Sequence, residues 1–246
     1  MDEPYFDTIS KTGSRRLYRY WTERAKCSRK DRLALATACD AFEFLFDSAI
    51  LDPKRLDVIA AAASHHRKTV WETGTLMLSQ LAQEHSVARD YLLQLASSRN
   101  GDLRLRSFAY LTDAFPRDFC HNLVLSRIND VSERIAHAAC WTATMLNLTE
   151  LSPAIRARAA STKHAIRLHE MHMLADLLDQ QFHEYYNKLG YSLVLAFPDQ
   201  FPTAVIWPGG IKEGEIAKLG LEAIMSRVRN SGSLLDPRRR AWKWGR

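Results

Sequence analysis

What this chain lacks narrows its function before what it contains. Its 246 residues include four cysteines, Cys27, Cys39, Cys120 and Cys140, and no two of them stand in a CxxC pair. A reduced, cytoplasmic setting is therefore expected, with Cys39 and Cys140 as buried thiols of apolar helices. No apolar run approaches the roughly 20 residues that cross a bilayer. Met1 to Ile9 lacks the charged-then-apolar layout of a secretion signal. The signatures of common chemistries are missing too: no GxGxxG, GxxxxGK[ST], GxSxG or HExxH. Gly209-Gly210 stands outside any phosphate-loop context. No cofactor and no catalytic residue is expected.

What is present begins with charge. The net charge of +6 is modest but unevenly spread. Residues 11 to 32 hold nine Lys/Arg against Glu23 and Asp31, a net of +7. Residues 226 to 246 hold seven against Asp236, a net of +6. Residues 1 to 10 carry −3, which leaves −4 for residues 33 to 225. The middle is mildly acidic and both ends are basic.

The middle is also periodic. Leu105, Phe108, Leu111 and Phe115 recur at helical spacing, and so do Ile135, Ala139, Thr142 and Leu146. Upstream stand Leu35, Cys39, Phe42 and Phe46, then Val70, Gly74, Met77 and Leu81, then Val87, Tyr91 and Leu95. Downstream, Ser152-Pro153 opens a helix with Ile155, Ala159, Thr162 and Ile166. Asp130 with Glu133 reads as an N-terminal capping pair. The second helix of each pair begins near 53, 86, 116 and 153, at intervals of 33, 30 and 37, the mark of an α-solenoid.

Asp102 followed by Arg104-Leu105-Arg106-Ser107-Phe108-Ala109, and Asp130 followed by Glu133-Arg134-Ile135-Ala136, resemble the first helix of HEAT-type repeats. The resemblance spans about residues 29 to 166. His66-Arg67-Lys68-Thr69-Val70 departs from it by lacking the leading aspartate. The expected fold is all-α, a right-handed α-solenoid of about four to five HEAT-like helix pairs with a C-terminal extension. The segments are 1–27, a basic and aromatic lead; 28–190, the helical repeats; 191–230, a capping extension; and 231–246, an Arg/Trp tail. A helix is expected over 163 to 189, closed by Gly190. Tyr191 to Phe197 and Thr203 to Trp207 read as a short β-hairpin or as an extended cover for the helix ends. Glu213 to Arg229 reads as an amphipathic helix with Ile216, Leu219, Ala223 and Ile224 inward.

Several residues are candidates for binding. Arg15, Arg16, Arg19 and Trp21 interleave charge with aromatic rings, which suits phosphate and base contacts or a capping helix. Arg238, Arg239, Arg240, Trp242 and Trp244 make a sticky tail. The resemblance implies that second helices line a concave wall. There Arg55, Arg89, Arg117 and Arg156, with Arg158, would form a ladder for a phosphate backbone or a mixed-charge solvated face. His169, His172 and Asp176 share a helical face and suit Zn²⁺ or Fe²⁺, or simply solvent. A HEAT-like DNA glycosylase would need an aspartate among aromatics and an arginine; Trp141, Trp71, Asp113 and Arg106 are the nearest set. The leading expectation is a non-enzymatic scaffold for a partner protein, with DNA or RNA binding as the alternative.

Overall fold

The computed structural model describes residues 28–46, 51–187, 190–197, 204–207 and 212–230. These form a helix-dominated chain with one small antiparallel sheet. No described helix is long and apolar enough to cross a membrane. The chain divides into two compact units, Met1–Arg127 and Ile128–Arg246.

The first unit holds α1 (Arg29–Phe46), α2 (Pro53–Ala63), α3 (Lys68–Glu84), α4 (Ser86–Ala96), α5 (Gly101–Arg106) and nearly all of α6 (Arg117–Ile128). Local chemistry sets their starts. The Asp52 carboxylate accepts the Lys54 N–H at 3.0 Å, with Pro53 at the first helical position. The Asn100 side chain does the same for Asp102 N at 2.9 Å. The core is Leu35, Phe42 and Leu45 of α1, Leu56 and Ile59 of α2, and Val70, Met77 and Leu78 of α3, all almost wholly buried. Each contributes about 1.5–3 kcal/mol through removal of apolar surface from water. Gly74 of α3 faces the end of α2, where an added Cβ would lie 2.4 Å from the Ala63 nitrogen. α1 and α3 touch. α2 and α4 are linked by the Tyr91 hydroxyl, which donates to Asp57 at 2.6 Å.

Arginines close the carboxyl ends of these helices. Arg89 donates to Ala82 O and Gln83 O near the end of α3. Arg106 donates to Ala63 O and His65 O after α2, at 3.0 and 2.9 Å. Arg127 donates to Ala96 O, the last residue of α4, at 2.8 Å. Helix ends leave carbonyls unpaired and carry partial negative charge, so a guanidinium satisfies both needs.

The second unit holds α7 (Glu133–Met145), a single 3₁₀ turn (Thr149–Leu151), α8 (Ser152–Ala160), α9 (Ala165–Gln180), then β1 (Phe182–Asn187), β2 (Gly190–Ala196) and β3 (Ala204–Trp207), and finally α10 (Glu215–Leu219) and α11 (Leu221–Asn230). α9 packs on both α7 and α8. The sheet order is β1-β2-β3, antiparallel throughout, with His183 opposite Val194 and Leu193 opposite Trp207. Leu193, Leu195 and Phe197 bury against Ile224, Met225 and Val228 of α11. Strand alternation turns His183 and Val194 to the other side, where α9 lies.

The expected helix starts near 53, 86, 116 and 153 fall at Pro53, Ser86, Arg117 and Ser152. Three expectations are corrected. The helix expected over residues 102 to 115 stops at Arg106, because buried Ser107 turns its hydroxyl onto Arg104 O at 2.7 Å. The helix expected to reach 189 stops at Gln180. Gln181 takes a left-handed conformation (φ 67°), and the β-favouring run Phe182 to Tyr186 pairs with β2. The final amphipathic helix is broken at Gly220 (φ 84°). Its inward face is therefore Ile224, Met225 and Val228, while Leu219 and Ala223 are exposed. The β2–β3 hairpin stands where the sequence suggested one.

Candidate functional site

The described surface offers an open groove of about 390 Å³ in the first unit. Ala60, Ala61 and Ser64 of α2 form one wall. Tyr91, Gln94 and Leu95 of α4 form the other, and Ser98 and Leu103 close the end. The lining is uncharged, and the α2 wall of Ala60, Ala61 and Ser64 is small, which leaves room between the two helices. Tyr91 is fixed on the rim by its bond to Asp57. That bond, then burial, raises the phenol pKa and keeps the hydroxyl a donor. Leu93 of α4 is 43% exposed and Val87 is 48% exposed. Sequence periodicity missed this groove, because alanine and serine carry no signal of what they leave empty.

The arginines expected to form a ladder are largely engaged by the protein itself. Arg55 lies 3.6 Å from Asp52 and its guanidinium sits 3.8 Å from the Phe44 ring centroid. Arg89 is spent on the end of α3. Arg117 is exposed at the start of α6. In the second unit Arg156 is clamped by Asp176 at 2.8 Å and Asp179 at 2.6 Å. Hydrogen bonds to Asp179 and Asp176 raise the pKa of this guanidinium further. Arg158 donates to Ser161 Oγ and to Asp130 O. A phosphate at Arg156 would have to displace two carboxylates. Arg15, Arg16, Arg19, Trp21, Arg238, Arg239, Arg240, Trp242 and Trp244 lie outside the described residues.

The three residues weighed as metal ligands or as a solvated helix face do not converge on one point. His169 and His172 are exposed on α9, and Asp176 instead accepts from Arg156 and approaches His183 Nδ1 at 2.7 Å. The Nε2 of His183 is buried without a hydrogen-bond partner, and the ring stacks 5.9 Å from Tyr185. This aspartate–histidine pair fastens β1 to α9. Of the set resembling a glycosylase site, Arg106 lies 4.4 Å from the Trp71 ring centroid with its Nη1 donating to the Ala63 and His65 carbonyls. Asp113 is exposed in a turn. The three thiols among the described residues are poor nucleophiles: burial pushes Cys39, Cys120 and Cys140 up to about 12.

One donor trio does converge among the described residues: Asp31 at the start of α1, with His65 and His66 before α3. A cation already fills this place. Arg67 Nε donates to Asp31 Oδ2 at 3.1 Å, and the Arg67 backbone N–H donates to His65 Nδ1 at 3.1 Å. His65 Nε2, 3.8 Å from Asp31 Oδ1, therefore carries the proton of the neutral ring. A metal on Nε2 would drive that proton to Nδ1, against the Arg67 N–H. Burial first, and then the charge of His66, holds His65 below its ordinary pKa. Nothing in the sequence pointed to this trio, since Asp31 and the His65–His66 pair meet only through tertiary packing. No family model matches the chain, and neither does any curated protein or solved structure.

Proposed function

We propose that this chain is a HEAT-like helical-repeat scaffold that docks a partner protein in the α2–α4 groove, with the Arg/Trp tail as a second contact. The solenoid part of this reading is supported within the first unit by neighbouring first helices and neighbouring second helices. The docking part rests on the groove itself. An uncharged cleft walled by Ala60, Ala61 and Gln94, flanked by exposed Leu93, accepts the small apolar side chains of an amphipathic helix. A cleft for nucleophilic chemistry would need a base beside a nucleophile; the hydroxyls of Ser64, Ser98 and Tyr91 line this one, but no histidine, carboxylate or amine does. The reduced, cytoplasmic setting belongs to the same proposal.

A photoreactive residue at Gln94 tests it. In native cells it should trap one partner protein. The same residue at exposed Thr37 of α1, outside the groove lining, should not. Adding Ala61→Arg to the Gln94 variant should abolish the adduct and leave helicity intact. An adduct that survives Ala61→Arg would sink the groove as the docking site.

A further inference from the structure

We infer that the starts of α1 and α3 together form a binding surface for the phosphate backbone of a nucleic acid. Two short segments meet there, residues 28–32 and 65–68. Arg29, Lys30, Arg32, His66, Arg67 and Lys68 are all exposed. The acidic residue in these segments, Asp31, is buried beneath them at 5% exposure. With neutral histidines the two segments carry five cationic charges against one, a net of +4.

Asp31 is the fastener of this patch. It holds Arg67 of the second segment, while its backbone N–H donates to Ser28 Oγ at 3.1 Å in the first. The loop before α3 is pinned from the other side by Arg106, which donates to the His65 carbonyl. The cations are therefore displayed by a fixed scaffold. Arg156 is locked between two carboxylates, but among the described residues no such clamp holds Arg29, Lys30 or Arg32. Glu72 acts on Lys68 from one turn along α3.

Charge also continues into the chain before α1. Residues 11 to 27 carry six Lys/Arg against Glu23, interleaved with Tyr18, Tyr20 and Trp21. Cations alternating with aromatic rings favour a nucleic acid, where phosphates and bases alternate in the same way. A membrane surface would instead call for a broad apolar face beside the basic one. Leu33 is the single large exposed apolar side chain in the first turns of α1. This surface shares no residue with the α2–α4 groove, so the two proposals stand or fall separately.

The test uses the full chain and a labelled single-stranded oligonucleotide of ~20 nucleotides, read by anisotropy across a salt series. The wild type should bind with a steep salt slope. The triple variant Arg29→Ala/Lys30→Ala/Lys68→Ala should weaken binding about tenfold or more at low salt and flatten the log–log slope by ~2, at ~0.7 per lost phosphate contact. Should the triple variant lose helicity, single Arg29→Gln and Lys68→Gln changes decide the matter through ~0.7 of slope each. Salt-insensitive or absent binding by the wild type would overturn the proposal. So would a triple variant with unchanged affinity and slope, or retention on phosphatidylserine vesicles or polyglutamate in preference to the oligonucleotide.

Discussion

A missing methyl group decides how closely α2 and α3 approach. At Gly74 a Cβ would stand 2.4 Å from Ala63 N and 2.6 Å from Ala62 C, both backbone atoms that cannot swing aside. Gly74→Ala should therefore destabilise the first unit by ~3 kcal/mol, the upper range of overpacking costs, although alanine is the better helix former. A drop in the urea midpoint at unchanged m-value would show it; an unchanged midpoint would mean that the helices part easily. Asp31 makes a second case. The hydrogen bond from Ser28 lowers its pKa most; burial opposes and the Arg67 contacts add to the lowering, for a net shift below 3.8. A depressed carboxylate stabilises the fold above its unfolded pKa and loses that effect as pH falls through its folded pKa. Asp31→Asn should thus cost stability at neutral pH and shrink the stability lost on acidification below about pH 4. Equal pH profiles for the two proteins would refute the assignment. The thiols give a third. In a Cys27→Ser variant, Cys39, Cys120 and Cys140 should not react with a thiol reagent until the chain unfolds, since burial keeps them protonated.

At the scale of elements, starts were legible in the sequence and stops were not. Asp52-Pro53 and Ser152-Pro153 announce helices because a proline in the first helical turn loses no partner, and Asp52 caps through atoms within a few residues. The end of α9 depends instead on what lies across the sheet: Gln181 turns left-handed so that its carbonyl accepts Ala196 N–H at 2.8 Å. Without β2 in view, Phe182 to Leu189 continues the helical pattern. The same blindness hid the groove and the fastened pair Asp31–Arg67, both products of packing between distant residues. Periodicity on α4 also pointed to Val87 and Tyr91, while Ala88 and Leu92 are the buried pair, because small residues let the helix turn. The strain at Gln181 is testable. Gln181→Gly should stabilise by about 1 kcal/mol, and a β-branched valine there should destabilise by more. A loss of stability with glycine would show that the Gln181 side chain holds the turn by contacts rather than enduring it.

Over the whole molecule, charge and shape are assigned to different places. Basic residues concentrate in 11–32 and 226–246, whereas the groove lining is neutral. Partner docking should accordingly combine a salt-resistant part from the groove with a salt-sensitive part from the tail. Deleting residues 233–246 removes five Lys/Arg and Asp236, and takes the net charge from +6 to +2. At ~0.05 M salt the truncated chain should hold the partner more weakly than the intact one, because exposed charges still act over more than ~10 Å there. Near ~1 M, where screening acts within ~3 Å, the two affinities should converge. A gap that persists at high salt would mean that Trp242 and Trp244 bury apolar surface against the partner, since hydrophobic contact strengthens rather than fades as salt rises. Measuring both chains across that range separates the tail as an electrostatic tether from the tail as a second anchored site, and Trp242→Ala/Trp244→Ala in the intact chain should then close the gap.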